Sequence, residues 1–346
     1  MSRASTSVRR ACRAATGVLA AGLTLAACGT TTAGTVYVVG SPSRSISVPL
    51  RVVACTTSNS CVAVGTSGSD VGPSSVGQFR RPNGQWTALN VPAAPSSLVT
   101  TSACWVSACL IGGTQPTGDL LWAYDATKQT VTTLATPHAG QGVSALSCFA
   151  SESCAVVDSL GVAEGARISF TIDGGATWTT PLSMSWSIGN PVTAVSCADA
   201  LNCLVAATAA GGRALVEVTL DGGVTWTVRP TSPTWNSLSS LSCAGRRCVG
   251  LASTSSGAVV ERTQTFARTW SGVVLDQRAN ALACTSYTKC VVVGQTKSNN
   301  PWLATLRHRA LHGESLKYVP TPLTSAACGA KVCVAIGVST VLALRP

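Results

Sequence analysis

The residues with the greatest potential for chemistry in this sequence of 346 residues are its 16 cysteines. Fourteen of them follow Cys28 and fall into close pairs, with four or five residues between the two members of each pair. Cysteines form disulfides in oxidising compartments, and they bind zinc where four ligands converge. The seven pairs are Cys55/Cys61, Cys104/Cys109, Cys148/Cys154, Cys197/Cys203, Cys243/Cys248, Cys284/Cys290 and Cys328/Cys333.

The spacing of the pairs favours disulfides over zinc. Structural zinc sites usually bring Cys-x2-Cys units together in fours, whereas these pairs recur every 41 to 49 residues in a chain with 3 histidines. We therefore expect seven disulfides and neither a metal site nor a cofactor, with metal coordination or free thiols as the alternatives. In the chain-entropy model, seven such short loops stabilise the fold by at most about 16 kcal/mol.

Each cysteine pair needs a β-hairpin to position it. An alternating apolar segment ends in Ser-Cys or Ala-Cys, and after the polar turn the second cysteine begins another apolar segment, as in Val195-Ser196-Cys197 followed by Cys203-Leu204-Val205-Ala206. The mean repeat of about 45 residues is the length of one four-stranded propeller blade. The sequence therefore predicts an all-β, seven-bladed β-propeller of four-stranded blades (strands A to D), whose A-B hairpins are closed by disulfides.

The ends of the chain predict how the propeller closes. The last repeat contains only three strands, the third of them over residues 340–344. Residues 35–39, Thr-Val-Tyr-Val-Val, precede Cys55 at about the distance expected of a fourth strand. We predict that this N-terminal strand becomes strand D of the seventh blade, so that no sheet edge is left free at the junction.

The N-terminus has the pattern of a bacterial secretory signal. Four arginines precede an apolar stretch over residues 14–27, which is too short for a permanent membrane helix. The segment Leu25-Ala26-Ala27-Cys28 resembles the lipobox, and that resemblance implies lipidation of Cys28. We predict a signal over residues 1–27, a lipidated tether over 28–34, a propeller over 35–346, and a position on the extracytoplasmic face of the cell membrane. The alternatives are an ordinary cleaved signal and twin-arginine export.

The charge of the predicted mature chain argues against a nucleic-acid partner. The whole sequence has a formal charge of +11, and removing residues 1–27 leaves 20 basic and 13 acidic side chains. The remaining basic residues are scattered and form no basic stripe. Attraction to anionic lipid or to cell-wall polymers is the more natural electrostatic expectation, and a monomer is expected.

A second repeated motif occurs about 20 residues after two of the pairs. Residues 171–178 (Thr-Ile-Asp-Gly-Gly-Ala-Thr-Trp) and 219–226 (Thr-Leu-Asp-Gly-Gly-Val-Thr-Trp) are two copies of it, and residues 263–270 keep its spacing without the aspartate and glycines. The motif resembles the Asp box, or BNR repeat, of sialidase-like propellers. That resemblance implies a structural turn between strands C and D, built by Asp173, Gly174, Gly175 and Trp178 and by Asp221, Gly222, Gly223 and Trp226.

The same resemblance carries no catalytic residues to this chain. A sialidase would have a Phe-Arg-Ile-Pro-like segment, three arginines for a carboxylate and a tyrosine nucleophile paired with glutamate, and the sequence contains no such segment. The chain is also distantly similar to the Ycf48-like propeller group, which binds protein without catalysis. The resemblance therefore implies a binding or assembly module with no catalytic residues.

The binding surface is expected on the face that carries the B-C and D-A connections, because the disulfides and box turns are expected to mark the opposite face as structural. We call it the loop face. Its candidate tryptophans and charged residues alternatively separate blades and keep the surface soluble. The other alternative is a glycoside hydrolase that pairs Asp158 with Glu164, or Glu164 with Asp276. The candidates are Trp186, Trp235, Trp302, Asp158, Glu164, Arg167, Arg213, Asp276 and Arg278.

Overall fold

The computed structural model describes most of the predicted propeller. Within the described residues no helix is long and apolar enough to cross a membrane. The predicted signal, Cys28 and the tether lie outside the described residues. The described residues are 37–40, 49–66, 75–81, 84–138, 140–161, 165–184, 191–209, 211–307, 310–316, 319, 321–338 and 340–344.

The described residues form 28 β-strands. In chain order they are β1 (Tyr37–Gly40), β2 (Val52–Cys55), β3 (Cys61–Thr66), β4 (Ser75–Arg80), β5 (Trp86–Leu89), β6 (Leu98–Cys104), β7 (Ala108–Gln115), β8 (Gly118–Asp125), β9 (Thr130–Thr133), β10 (Gly142–Ala150), β11 (Ser153–Gly161), β12 (Gly165–Thr171), β13 (Leu182–Met184), β14 (Val192–Cys197), β15 (Cys203–Ala209), β16 (Arg213–Thr219), β17 (Thr227–Arg229), β18 (Trp235–Ala244), β19 (Arg247–Thr254), β20 (Gly257–Thr263), β21 (Ser271–Leu275), β22 (Arg278–Ser286), β23 (Lys289–Gln295), β24 (Pro301–Arg307), β25 (Ala310–Ser315), β26 (Leu323–Cys328), β27 (Cys333–Gly337) and β28 (Val341–Leu344).

The strands form seven antiparallel sheets of four strands each, and these are the blades of the predicted propeller. Blades 1 to 6 are β2–β5, β6–β9, β10–β13, β14–β17, β18–β21 and β22–β25, and blade 7 consists of β26–β28 and β1. The first strand of each blade contacts the first strand of the next, and β26 returns to contact β2. The A strands therefore form a closed inner ring, and the D strands lie outermost.

Blade 7 is completed by the N-terminal strand, as predicted. Strand β1 pairs antiparallel with β28, with Tyr37 opposite Leu344 and Gly40 opposite Val341. Main-chain hydrogen bonds thus join the two ends of the propeller. This closure removes the unpaired edge that a three-stranded last blade would otherwise present.

All seven predicted disulfides are present. In each hairpin the two cysteines are directly opposite each other on strands A and B, as Cys148 is to Cys154. The Cα–Cα distances lie between 3.9 and 4.1 Å. Each bond therefore closes its A-B hairpin at the turn end, where the two strands separate.

The structure shows how deeply the disulfides lie, which the sequence analysis did not predict. The strand-B cysteine of every pair is a core residue, at most 1% exposed, because strand B is covered on both sides by neighbouring blades. Each disulfide therefore has one cysteine in the core, and the strand-B sulfur atoms are not accessible to a partner or a metal. The seven buried cysteines are Cys61, Cys109, Cys154, Cys203, Cys248, Cys290 and Cys333.

Polar side chains at β-bulges connect the inner strands, a feature that the sequence analysis missed. Thr100 Oγ1 donates to Val143 O at 3.0 Å, Thr193 Oγ1 to Leu238 O at 2.8 Å, and Asn280 Nδ2 to Leu323 O at 2.8 Å. Each of these residues occupies a register shift in its A strand. Because each bond crosses to the next blade, the bulges join neighbouring inner strands as well as bending them.

Candidate functional site

The box turn of blade 3, residues 171–178, is an internally hydrogen-bonded turn. The buried Thr171 hydroxyl accepts the Gly175 N–H at 2.9 Å and donates to Asp173 Oδ1 at 2.7 Å. Asp173 in turn accepts the Thr177 N–H at 2.9 Å, and its other oxygen accepts the Thr177 hydroxyl. These bonds lower the pKa of Asp173 to about 2, led by the bond from the Thr177 hydroxyl. Asp173 thus serves the turn itself, and the box turn of blade 4 repeats this geometry.

The box turns are joined to the disulfide-closed hairpins of their own blades. The N–H of Gly174 donates to Glu152 O at 2.9 Å, and that of Gly222 donates to Leu201 O at 3.0 Å. Both acceptors lie in the A-B turn between the two cysteines of the blade. Hydrogen bonds therefore join the turns on this face to one another.

Blade 5 keeps the same turn with different side chains. The Thr263 hydroxyl accepts the Ala267 N–H at 3.0 Å, and the Thr265 hydroxyl accepts the Thr269 N–H at 3.0 Å. Phe266 and Ala267 have φ angles of 53° and 64°, in the left-handed region occupied by glycines in blades 3 and 4. The Phe266 N–H still reaches the A-B turn, donating to Arg246 O at 3.0 Å. The aspartate and glycines are thus dispensable for the shape of the turn.

Several predicted charged residues begin strands at the loop face. Arg213 is the first residue of β16 and Arg278 the first of β22, and both are exposed. Asp276 is also exposed and pairs with Lys297, with 3.4 Å between Nζ and Oδ1. Strand register thus brings these side chains to the predicted face. The candidates Trp186 and Glu164 lie outside the described residues.

Two predicted tryptophans are not surface residues, which corrects the expectation that they offer exposed stacking surfaces. Trp235 is 2% exposed and Trp302 is 6% exposed. Trp302 lies on strand C of blade 6 and packs against the backbone of Gly313, where a Cβ would approach the indole to 2.7 Å. Trp235 meets Trp270 edge-on, with 5.3 Å between ring centroids. Both side chains fill space between neighbouring blades, where burial of a large ring is most favourable.

Asp158 is buried rather than displayed at the loop face. It is 0% exposed and lies in register between Val143 and Arg167. Burial, reinforced by the nearby carboxylate of Asp119 and opposed by Arg167, raises the pKa of Asp158 to about 8. Asp158 is therefore mostly protonated at neutral pH. Because its carboxyl is buried, Asp158 is not positioned to contact a glycan as the hypothesised pair with Glu164 requires. The other hypothesised pair, Glu164 with Asp276, includes a residue outside the described residues.

The partner of Asp158 was not predicted from the sequence. Asp119 lies near the start of strand C of blade 2 and accepts the Gly140 N–H at 3.0 Å, so it anchors the connection between blades 2 and 3. Burial also raises the pKa of Asp119, while hydrogen bonds from the backbone and the charge of His138 lower it. Among the described residues no group of three or more histidine, cysteine, aspartate or glutamate side chains is arranged to hold a metal ion.

Two further buried acids lie at equivalent positions on strand C of blades 4 and 5. Glu217 is opposite Val205, and burial raises its pKa to about 7. Glu261 is opposite Gly250, and its carboxylate accepts a hydrogen bond from the Trp235 indole. Glu261 also borders a cavity of about 370 Å³ between blades 4 and 5. No spacing signal in the sequence marks this cavity, because its walls come from two separate repeats.

Comparison with known proteins supports the fold. No protein-family model and no curated protein matches the chain. Ycf48 from Cyanidioschyzon merolae superposes with a TM-score of 0.62 at 13% identity, covering 90% of this chain and 99% of the other. Ycf48 bound to D1 peptide gives 0.63 at 10% identity, with 90% and 97% covered. Virginiamycin B lyase from Staphylococcus aureus gives 0.64 at 8% identity, with 90% and 100% covered.

These similar structures include both enzymes and binding proteins, and their identities to this chain are low. The likeness therefore establishes a β-propeller and assigns no activity.

Proposed function

We propose that this chain is a lipid-anchored, extracytoplasmic binding or assembly propeller that recognises a protein or glycan partner on its loop face. The observation that carries the proposal is the set of exposed basic side chains that the strand ends bring to that face. Arg51, Arg213 and Arg278 are exposed there, and Lys297 accompanies them beside Asp276. The opposite face is braced by disulfides and box turns and therefore serves as the scaffold.

The balance of charge on the loop face favours a partner with acidic groups. The Asp276 carboxylate is already paired with Lys297. Among the described residues, Asp119 and Asp158 are further acids of this region, and both are buried and have raised pKa values. The exposed guanidinium groups are thus left to attract an anionic surface.

One of the similar structures provides a precedent for a binding role. It is described as Ycf48 bound to D1 peptide, so a propeller of this architecture can hold a peptide. The sequence also lacks the Phe-Arg-Ile-Pro-like segment of sialidases, which argues against sialidase activity.

Site-specific photo-crosslinking in the cell tests the position of the site. A photoreactive amino acid replaces Arg213 or Arg278 on the loop face. Matched variants place it at Arg246, in the A-B turn of blade 5, or at Arg247, the first residue of β19; both are exposed on the opposite face. We expect the two loop-face positions to give the same adduct and the two control positions to give none. Adducts formed only from the control positions would place the partner on the other face and overturn the assignment.

The anchor requires its own test. We expect Cys28→Ser to move the protein from the detergent phase to the aqueous phase on phase partition, because a lipid chain would no longer be attached. Cys12→Ser, a change within the predicted signal, is the matched control and should leave the partition unchanged. Wild-type protein found wholly in the aqueous phase would contradict lipidation.

A further inference from the structure

The face opposite the loop face carries the A-B and C-D turns, and we call it the turn face. In blades 5, 6, 7 and 1 these turns and the strand ends beside them contribute six exposed basic side chains. The turn segments of these blades contain no aspartate or glutamate over residues 56–60, 81–85, 244–247, 264–270, 285–289 and 329–332. The six basic residues, which we call the basic sector, are Arg81, Arg246, Arg247, Arg268, Lys289 and Lys331.

The basic sector is continuous because neighbouring turns touch one another. The Arg247 guanidinium lies over the Tyr287 ring, 5.9 Å from its centroid, and this contact joins the A-B hairpins of blades 5 and 6. The Lys331 N–H donates to Asn59 Oδ1 at 2.7 Å, which joins the A-B turns of blades 7 and 1. Within the described part of the chain, none of the six side chains belongs to an ion pair. Their charges therefore add to one positive field over neighbouring blades.

Blades 2, 3 and 4 give the other half of the turn face the opposite charge. Lys128, a basic residue in these turns, is already paired with Asp125, with 3.4 Å between Nζ and Oδ2. Large apolar side chains, among them Ile172 and Val224, are also exposed there. An anionic surface would thus attract one half of the turn face and repel the other. The exposed or half-buried acids of these turns are Asp125, Glu152, Asp173, Asp199 and Asp221.

The N-terminal strand joins the propeller within the basic sector. Strand β1 begins at Tyr37, opposite Leu344, and Leu344 is opposite Cys333 at the A-B turn of blade 7. The chain therefore reaches blade 7 at the turn face, and blades 6 and 1 flank it. Cys28 lies nine residues before Tyr37, and such a length spans at most about 32 Å. A lipid at Cys28 would hold this part of the turn face nearest the membrane.

We propose that the basic sector docks on anionic phospholipid headgroups, so that the propeller rests on blades 5, 6, 7 and 1 with its loop face turned outward. The inference rests on the lipid anchor of the proposed function and deepens it, because it adds a second membrane contact and assigns the orientation of the protein. An acidic protein would carry the same sign of charge, but it would not explain why the chain joins the propeller in this sector.

Fluorescence quenching in vesicles tests the docking surface. The purified full-length protein carries an environment-sensitive fluorescent amino acid at Ala330 in the A-B turn of blade 7, at Ala200 in that of blade 4, or at Ser255 on the loop face, all exposed positions. The vesicles contain phosphatidylcholine alone or equal parts of phosphatidylcholine and phosphatidylglycerol, with a lipid spin-labelled on its headgroup as quencher. Cosedimentation with the vesicles is measured on the same samples.

Charge-matched variants separate the basic sector from the overall charge of the protein. Each variant removes three positive charges from exposed side chains, so neither should disturb the core. The sector variant combines Arg246→Gln, Lys289→Gln and Lys331→Gln, and its loop-face control combines Arg51→Gln, Arg213→Gln and Arg278→Gln.

With phosphatidylglycerol present, we expect quenching at Ala330 to exceed that at Ala200 and Ser255 by about twofold or more, because headgroups contact the basic sector. The excess should disappear in phosphatidylcholine alone and at about 1 M salt, where the Debye length is about 3 Å. The sector variant should lose the excess, and the loop-face control should keep it.

Cosedimentation distinguishes this inference from the lipid anchor. Sedimentation with both kinds of vesicle but equal quenching at the three positions would support the anchor and overturn the docking surface. Sedimentation with phosphatidylglycerol alone, with Ala330 quenched most, would overturn the anchor and support the docking surface, and no sedimentation with either would overturn both.

Three further outcomes would overturn the docking surface. Stronger quenching at Ala200 would assign the membrane contact to the apolar side chains of blades 2 to 4, and stronger quenching at Ser255 would assign it to the loop face. An excess at Ala330 that the sector variant retains would exclude its basic side chains as the cause. Polyglutamate that shifts the emission at Ala330, where vesicles leave it unquenched, would assign the sector to an acidic protein instead.

Discussion

The box turns of blades 3 and 5 have the same shape but achieve it with different residues. In blade 3 a carboxylate and two glycines build the turn, whereas in blade 5 a threonine hydroxyl replaces the carboxylate, and Phe266 and Ala267 take the left-handed positions. Both turns keep a buried threonine at their start and a hydrogen bond to their A-B hairpin. The threonine and the hairpin therefore define the turn, and the aspartate and glycines refine it.

The difference also changes what surrounds each turn. Trp178 of blade 3 finds an acceptor in the preceding blade, whereas Trp270 of blade 5 borders a cavity. A repeated structural turn can thus lose part of its sequence motif and keep its shape, while a cavity forms beside it.

Reduction of the disulfides should have the largest effect, because it releases the hairpins to which both kinds of turn bind. The chain-entropy limit of about 16 kcal/mol exceeds the usual net stability of a domain, about 5–15 kcal/mol. We expect reduction to lower the melting temperature severely, as measured by circular dichroism, with oxidised protein treated with alkylating agent as the control. A melt unaffected by strong reductant would contradict the role assigned to the hairpins.

Removal of the shared threonine should destabilise both turns to a similar extent. Thr171→Val or Thr263→Val deletes the acceptor of two turn N–H groups in a buried position. We expect each variant to lose about 2–4 kcal/mol of unfolding free energy, measured by chemical denaturation. The Ser variants retain the hydroxyl and are the controls. A large loss in blade 3 with none in blade 5 would mean that the two turns do not share this element.

Substitutions at the residue with positive φ should change the stability of the two turns by different amounts. Gly175 has a φ of 95°, and a Cβ there would lie 2.7 Å from Leu134 Cδ1. We expect Gly175→Ala to cost about 1–2 kcal/mol of unfolding free energy, by chemical denaturation. Ala267→Gly in blade 5 should change it by less than about 0.5 kcal/mol, because relief of strain offsets the lost methyl burial. Equal effects of the two changes would show that blade 5 has not adapted to side chains at this position.

Acid sensitivity should give the smallest difference between the turns. The pKa of Asp173 in the folded protein is about 2, below its ordinary value of 3.8. The ionised carboxylate therefore stabilises the folded state fully above pH 3.8, and this stabilisation is lost as the pH falls towards 2. Blade 5 has a hydroxyl at this position and no such dependence. Melting temperatures between about pH 2 and pH 5 should therefore depend less on pH in Asp173→Thr and more in Thr265→Asp. The opposite ranking would exclude the carboxylate as the cause.

The local parts of the structure were predictable to within a residue or two. The third strand of the last repeat was expected over residues 340–344 and is observed over Val341–Leu344. The hairpins and the strand exchange at blade 7 were also predicted correctly, because the cysteine spacing and the apolar alternation contain that information. The burial of the disulfides was not predicted, because the burial of Cys109, Cys248 and Cys290 depends on the blades that flank strand B.

The candidate site was predicted less well than the fold. Arg213 and Arg278 lie exposed at the expected face because a strand end fixes their position. Trp235, Trp302 and Asp158 are buried instead, since the twist and packing of neighbouring blades decide which side chains enter the space between them. Sequence position alone places a residue on a strand but does not say how deeply the next blade covers it.

The sequence by itself determined the blade number, the disulfide pairing and the closure of the ring, because each depends on a short spacing or on a repeat. Only the tertiary structure decided that Asp119 approaches Asp158, that Glu261 meets Trp235, and that a cavity opens beside Trp270. The Asp119–Asp158 approach and the cavity bring together residues from different blades. The contact of Glu261 with Trp235 brings together strands A and C of one blade. Such contacts have no local signature, because burial, charge and unsatisfied hydrogen bonds arise only when the blades pack.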